Sequence, residues 1–214
     1  MSRSYAIAKR ILDVVVVLLV LGLTWPLLIV LYVLARRSTG GSGLFAQDRA
    51  GREGRIFRLY KFRTMRADHV HDPDPAVVIT PDHGAVTRVG RFLRTHKLDE
   101  LPQVLNVLKG EMSLVGPRPT VPEQVAEYDD FQHRRLAAPP GITGLAQING
   151  DTGLTWDERI EWDVYYVERR SFWMDLRILL ATPVVLVRPA GERVRRLHEA
   201  HPDEADRPRR PADE

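Results

Sequence analysis

The 214-residue chain has no cysteine, which excludes disulfides and thiolate metal sites and fits a reducing compartment. Bulk charge bias is nearly absent too: 31 Lys and Arg against 28 Asp and Glu leave a net +3, which by itself selects no partner. Aromatic residues make up only 7% of the chain, and their interleaving with basic residues is too sparse for single-stranded nucleic-acid binding. No internal repeat is present. The length allows one domain of ordinary size plus appendages.

Long apolar runs are absent with one exception, residues 11–35, which contain a single early acid, Asp13. About 25 apolar residues can cross a bilayer if straight. Gly22, Thr24 and Pro26 fall in the middle of this run, and an interior proline removes a helix hydrogen bond and bends the axis. Cations stand on both sides, with Arg3, Lys9 and Arg10 before the run and Arg36 and Arg37 after it. The positive-inside rule then assigns both ends to the cytoplasm, which a single crossing cannot satisfy. Residues 1–37 are therefore expected to form a re-entrant membrane hairpin, helix, break and helix, that dips into one leaflet; an ordinary anchor is the alternative. A cleaved signal peptide fits poorly, because the run is too long and lacks an Ala-x-Ala exit.

Charge becomes uneven after the run. Arg36, Arg37, Arg49, Arg52, Arg55, Arg58, Lys61, Arg63 and Arg66 face only Asp48 and Glu53, a local excess suited to nucleic acid, anionic lipid or a phosphorylated substrate. Residues 55–63 alternate as a strand does. Residues 68–84, with three prolines, read as an irregular loop. Its His69 and His71 have zinc-ligand spacing but no clear third or fourth ligand, so a solvated loop is the simpler reading.

The densest chemistry lies at residues 95–110. Pro102, the apolar stripe Leu101, Val104, Leu105 and Leu108, and the stop at Gly110 predict a helix whose start carries Asp99 and Glu100. Acids suit any helix N-terminus, so the pair is also what simple capping would produce. Its company points further. Arg88, Arg91, Arg94 and Lys97 recur every third residue along an expected helix over 87–97. Such cations and a helix dipole favour an ionised carboxylate and attract phosphate, although a row of charges is also an ordinary solvated face. Downstream, Gly116, Pro117 and Pro119 stiffen the loop around Arg118, a guanidinium suited to bidentate capture of phosphate oxygens.

Residues 121–136 read as helix, 139–150 as a turn-rich loop and 156–169 as a second helix. Residues 176–187 are apolar but too short to span and carry Pro183; an interfacial segment and a buried core helix fit equally. Residues 191–214 read as a disordered charged tail. The expected fold is α+β and mostly helical, a membrane hairpin followed by a compact domain over 38–190 with interfacial amphipathic helices and a little β structure.

The ordered set Lys9-Arg10-Ile11-Leu12-Asp13, a proline-broken apolar segment, Tyr60-Lys61-Phe62-Arg63-Thr64-Met65, Leu98-Asp99-Glu100-Leu101-Pro102-Gln103, Ser113-Leu114-Val115-Gly116-Pro117-Arg118-Pro119 and Pro140-Gly141-Ile142-Thr143-Gly144-Leu145-Ala146-Gln147 resembles the bacterial sugar transferase family, the monotopic polyprenyl-phosphate phosphoglycosyl transferases. The likeness spans about residues 9–182, and without an extra multi-helix amino-terminal module the chain is similar to the minimal form. The resemblance implies transfer of a sugar 1-phosphate from a nucleoside diphosphate sugar, commonly a UDP-sugar, to undecaprenyl phosphate or a similar polyprenyl phosphate. UMP leaves, and cell-surface glycan assembly begins at the cytosolic face of the cytoplasmic membrane.

By the same resemblance Asp99 is the nucleophile that takes the phosphosugar. Glu100 is a metal ligand or proton handler, Mg2+ is the cofactor held by Asp99 and Glu100, and Lys61, Arg63, Arg94, Arg118 and Gln147 bind substrate. Two departures stand out. Gly150-Asp151-Thr152 replaces the family's frequent Gly-Arg-Asn, putting an acid where a cation is usual, and Trp25-Pro26 replaces the common Ser-Pro. Two rival readings remain open, a membrane-tethered basic binding module and an inactive scaffold of a glycan-assembly complex. The sequence fixes neither the sugar nor the oligomeric state.

Overall fold

The computed structural model describes residues 3–69, 83–187 and 194–201. The fold is mostly helical with two small sheets. It opens with α1 (Arg3–Thr39), followed by the antiparallel pair β1 (Leu44–Ala50) and β2 (Ile56–Phe62). Next come α2 (Arg88–Thr95), a 3-10 turn (Leu98–Gln103), α3 (Val104–Lys109) and β3 (Ser113–Val115). Then follow α4 (Pro122–Ala126), α5 (Asp130–His133), β4 (Gly141–Thr143), which pairs in parallel with β3, and α6 (Leu145–Ile148). The chain continues through α7 (Trp156–Arg169), α8 (Phe172–Val187) and α9 (Leu197–Ala200).

The main core gathers Val17 of α1, Phe57 and Leu59 of β2, Val104 and Val107 of α3, Met112, Leu114, Val115, Tyr166 of α7 and Ile178 of α8. Burying several such side chains is the chief favourable term, each worth roughly 1.5–3 kcal/mol. A second cluster packs Leu31 and Ala35 of α1 on Phe62 and Leu93.

Polar bonds lock α1 onto this body. Arg10 donates to the Val107 and Leu108 carbonyls at the C-terminal end of α3 (2.5 and 2.8 Å), where a cation also complements the helix dipole. Asp13 accepts from Ser113 Oγ (2.7 Å) and from the Leu114 backbone N–H (3.2 Å). Lys9 pairs with the buried Asp175 of α8 at 2.9 Å.

Several expectations need correction. The break expected at Pro26 is not a break, because α1 is one helix that continues through it. Residues 121–136 are not one helix either. Asp129 builds a capping box with Gln132, so α5 starts afresh after α4 ends. Part of the stretch expected to be a disordered tail is ordered: the Arg195 carbonyl accepts from Trp162 Nε1 (2.9 Å), and Leu197 and Ala200 pack on α7.

α8 has one side in the core and one apolar side outside it. Asp175 and Ile178 are buried, while Trp173 is 70% and Leu180 69% exposed. Among the described residues, α1 is the one helix long and apolar enough to cross a membrane.

Candidate active site

The acidic pair sits inside the 3-10 turn between α2 and α3, rather than at the start of an α-helix. Lys97 precedes the turn in the left-handed region (φ 53°), a conformation costing a non-glycine residue about 1 kcal/mol that persists when its surroundings hold it. Two contacts fix the turn against its neighbours. Gly90 of α2 lies so close to Thr64 that a Cβ would meet its carbonyl oxygen at 2.0 Å, so α2 sits tight on the segment after β2. Asn106 of α3, fully buried, accepts from the Tyr60 backbone N–H (3.1 Å) and donates to the Arg58 carbonyl (2.7 Å), stitching α3 to the edge of β2.

Cross-strand pairing places Lys61 opposite Phe45, Leu59 opposite Gln47 and Phe57 opposite Arg49. Directly opposed residues share a face, so Lys61, Gln47 and Arg49 project from one side of the ribbon. Lys61 Nζ donates to Glu100 Oε1 at 2.9 Å. From the other side, Arg118 Nη2 donates to Oε1 at 2.6 Å and Nη1 reaches Oε2 at 3.4 Å. Burial alone would raise the Glu100 pKa; the Arg118 and Lys61 charges outweigh it and hold the carboxyl well below the usual carboxylate range. Glu100 is thus a fixed anion with both oxygens engaged.

Asp99 differs. It is 9% exposed, and burial pushes its pKa up; Lys61 and Arg94 oppose the rise, while the Glu100 charge adds to it. Arg94 Nε donates to Thr64 Oγ1 at 2.9 Å, and burial pulls the Arg94 pKa down while Asp99 opposes. A desolvated carboxylate among fixed cations is a reactive oxygen nucleophile whose developing partner charge is already met.

Arg118 is held from behind. Arg135, fully buried, donates Nη2 to the Arg118 carbonyl (2.8 Å) and to Asp163 Oδ2 (2.5 Å), and Nη1 to Tyr128 OH (2.7 Å). Tyr128 OH in turn bonds Thr120 Oγ1 at 2.9 Å. The loop expected to be stiff from its prolines is anchored by this network as well.

Of the residues singled out from sequence, Asp99, Glu100, Lys61, Arg94 and Arg118 converge. Arg63 does not join them: its Nε donates to the Ser42 carbonyl (2.9 Å) and its guanidinium lies over Phe45. Ser42, which accepts this bond, helps line a cleft of about 720 Å³ beside the end of α1, with Tyr32, Arg36, Arg37, Gly40 and Gly41. Gln147 of α6 is buried beside Gly144, and neither of its amide atoms has a hydrogen-bond partner. Asp151, itself left-handed (φ 48°), binds Lys97 Nζ at 2.7 Å and lies within electrostatic reach of Arg118.

The sequence reading took Arg49 only as one of nine cations after the apolar run and passed over Asn106; alternation along β1 was the further signal available for Arg49, and nothing local marked Asn106. Among the described residues no three or more His, Cys, Asp or Glu side chains gather as a metal cage. His71 lies outside the described residues, as does the side chain of His69.

The fold and this cluster place a buried carboxylate among several cations, with a long apolar helix at the amino end of the chain. The model of the bacterial sugar transferase family matches residues 4–189, and the chain belongs to that family. It is 41% identical over 201 residues to the galactosyl transferase CpsE of Streptococcus agalactiae serotype III, an alignment covering 88% of this chain and 44% of that protein. The sugar transferase EpsL of Bacillus subtilis is 42% identical over 176 residues, 82% of this chain and 85% of that protein. The undecaprenyl-phosphate galactose phosphotransferase of Salmonella typhimurium is 38% identical over 203 residues, 89% of this chain and 42% of that protein. The chain thus spans under half the length of the Streptococcus and Salmonella relatives.

Proposed function

We propose that this protein is a phosphoglycosyl transferase that moves a sugar 1-phosphate from a UDP-sugar to undecaprenyl phosphate or a similar polyprenyl phosphate through an aspartyl intermediate. The observation that carries the reading is the division of labour between adjacent acids. Glu100 is neutralised by Arg118 and Lys61, whereas Asp99 is buried beside them as a desolvated oxygen.

In the first half-reaction a carboxylate oxygen of Asp99 attacks the sugar-bearing phosphorus. The bond from that phosphorus to the bridging oxygen breaks, and its electron pair leaves on UMP. In the second half an oxygen of the polyprenyl phosphate attacks the same phosphorus, releasing Asp99 as carboxylate and leaving a polyprenyl diphosphate sugar. Lys61, Arg94 and Arg118 meet the phosphate charge in both halves. Two steps through one acyl phosphate mean that the water-soluble and lipid substrates need not be bound together.

The donor set also suits Mg2+, which takes one or two carboxylates and completes its shell with substrate phosphates and water. Asp99 and Glu100 would hold it, Glu100 only by exchanging a cation partner; when bound, the ion neutralises diphosphate charge.

Both ends of α1 pack on the same body, near Val17 and near Leu31 and Ala35, while Leu19, Leu23, Trp25 and Leu27 between them are exposed. That pattern supports a re-entrant α1, an unbroken helix that bends within one leaflet rather than crossing it, with residues 38–190 as the catalytic domain on the cytosolic face and the exposed apolar side of α8 lying in the interface. The pocket then stands at headgroup height, where a polyprenyl phosphate presents its phosphate. Relatives named for transfer of glucose 1-phosphate or galactose to undecaprenyl phosphate support the substrate classes.

The test is intact-mass analysis of purified protein incubated with a panel of UDP-sugars and no lipid. A mass increase equal to one phosphosugar, lost on adding polyprenyl phosphate, is expected. UMP release only when both substrates are present, with no adduct at any time, overturns the proposal.

A further inference from the structure

Resting on that reading, we propose that Arg49 is a further substrate-binding residue, which together with Arg118 grips the phosphate that departs with the nucleoside. Arg49 stands next to the end of β1, on the ribbon face that also carries Lys61 of β2, and an antiparallel bridge with a 2.9 Å hydrogen bond from the Ala50 N–H to the Thr120 carbonyl lays this strand end against the loop bearing Arg118. One guanidinium nitrogen is engaged, Nη2 donating to Gln47 Oε1 at 2.8 Å, but Nε is buried without a hydrogen-bond partner. A buried donor left unmade is costly and calls for a partner.

Electrostatics says what that partner is. Burial and the neighbouring Arg118 charge pull the Arg49 pKa down to about 10, so it stays protonated at neutral pH beside a like charge. Of the two acids within electrostatic reach of Arg49, Glu100 and Glu123, the first is already shared by Arg118 and Lys61. Lys61, Arg94, Arg118 and Arg49 gather around Asp99 and Glu100, with Asp151 within reach of Arg118. The unpartnered Arg49 Nε is then the donor left for a phosphate oxygen.

The arrangement also divides the substrate. Lys61 and Arg94 bear on Asp99, the attacking group, which Arg118 also reaches but less than it reaches Glu100, whereas Arg118, Glu100 and Glu123 bear on Arg49. The transferred phosphoryl group belongs near the first set. The leaving phosphate, which gains the electron pair of the broken bond, belongs near the second, where a planar guanidinium can hold two oxygens.

The experiment uses the full chain in detergent and compares wild type with Arg49→Gln and Arg49→Lys. Titration with UMP and with inorganic phosphate is followed by calorimetry and by the thermal shift each ligand produces. Arg49→Gln is expected to bind UMP at least tenfold more weakly and to lose most of the UMP-induced shift, because ligand stabilisation falls with affinity. Arg49→Lys, which keeps charge but not the fork, is expected to fall between. For the UDP-sugar that gives an adduct, Arg49→Gln should raise KM with a smaller change in the rate at saturation. Wild-type affinity for UMP and phosphate in both variants overturns the assignment, as does a lowered melting temperature with affinity unchanged. If wild type forms no adduct with any donor, the aspartyl mechanism fails, while the UMP and phosphate titrations still decide the role of Arg49.

Discussion

Two kinds of buried polar cluster coexist in this protein, and they differ in how their charges are shared. Behind the sheets, Asp175 accepts from Lys9 Nζ (2.9 Å), Tyr5 OH (2.9 Å) and Tyr166 OH (2.7 Å), one carboxylate for one cation with neutral donors completing the shell. Asp163 and Arg135 form a similar one-to-one pair, bonded to Tyr128. At the Leu98–Gln103 turn the arrangement is different: Glu100 is shared by Arg118 and Lys61, and Lys61, Arg94, Arg118 and Arg49 gather around two adjacent acids. The one-to-one clusters bind α1, α7 and α8 to one another and to the segment around Tyr128 and Arg135. On the proposed reading the shared cluster is the one that receives a phosphate-bearing substrate.

The sharpest way to break the comparison is Asp99→Asn. Adduct formation and turnover are expected to vanish, at least a thousandfold below wild type, while membrane association is retained. Stability should hold or rise. The folded protein binds the Asp99 proton more tightly than the unfolded chain does, so the charge costs stability as pH rises past the ordinary aspartate value of about 4 toward the raised one. Asparagine removes that cost. The same shift puts the acid limb of adduct formation above the usual aspartate range, readable from single-turnover rates between pH 4 and 8. A normal aspartate limb, or activity in the variant, would mean that Asp99 is only a cap.

Next in size is Lys9→Met, aimed at a one-to-one cluster. Removing one partner of a buried pair strands the other, and a loss of about 3 kcal/mol is expected by denaturant unfolding in detergent. Lys9→Met combined with Asp175→Asn should recover most of it, since no lone charge remains. Adduct formation per folded molecule should be unaffected in both variants. A change in UMP affinity would show instead that the two clusters are coupled.

The same division explains what could be read without coordinates. α7 starts and ends where the sequence implies, because its signals are local: Thr155 and Glu158 form the capping box that the Thr-x-x-Glu spacing announces. Asp99, Glu100, Arg94 and Arg118 stood out because their signals, an acidic pair, a row of cations and a proline-stiffened loop, lie within short segments, and Lys61 because of the resemblance. Arg49 stayed one cation among nine, because its meaning depends on a strand register and on a bridge to Thr120, contacts made across many residues. The ordered stretch around Leu197 was hidden by its charge, because a few apolar side chains packed against Trp162 and Tyr165 outweigh a polar composition. Pro26 misled in the opposite direction: a proline predicts a lost hydrogen bond, yet one lost bond in a 37-residue helix does not stop it.

The smallest effect expected falls where the two kinds of cluster meet. Lys97 and Asp151 form a one-to-one pair, which should be structural, yet Lys97 leads into the acidic turn and Asp151 lies within reach of Arg118. Both residues also have positive φ. The Lys97 side chain is 39% exposed, so the bond itself should contribute only about 0.5 kcal/mol. Asp151→Asn is accordingly expected to lower the melting temperature slightly. Its effect on function should be larger than that loss implies, because a loosened corner lets Asp99 drift and attack geometry is unforgiving. A severalfold drop in the single-turnover rate at saturating donor, with UMP affinity unchanged, is the expected signature. Lys97→Asp combined with Asp151→Lys should restore much of the rate by rebuilding the bond in reverse. If the exchanged pair restores stability but not rate, Lys97 contributes its charge to the substrate.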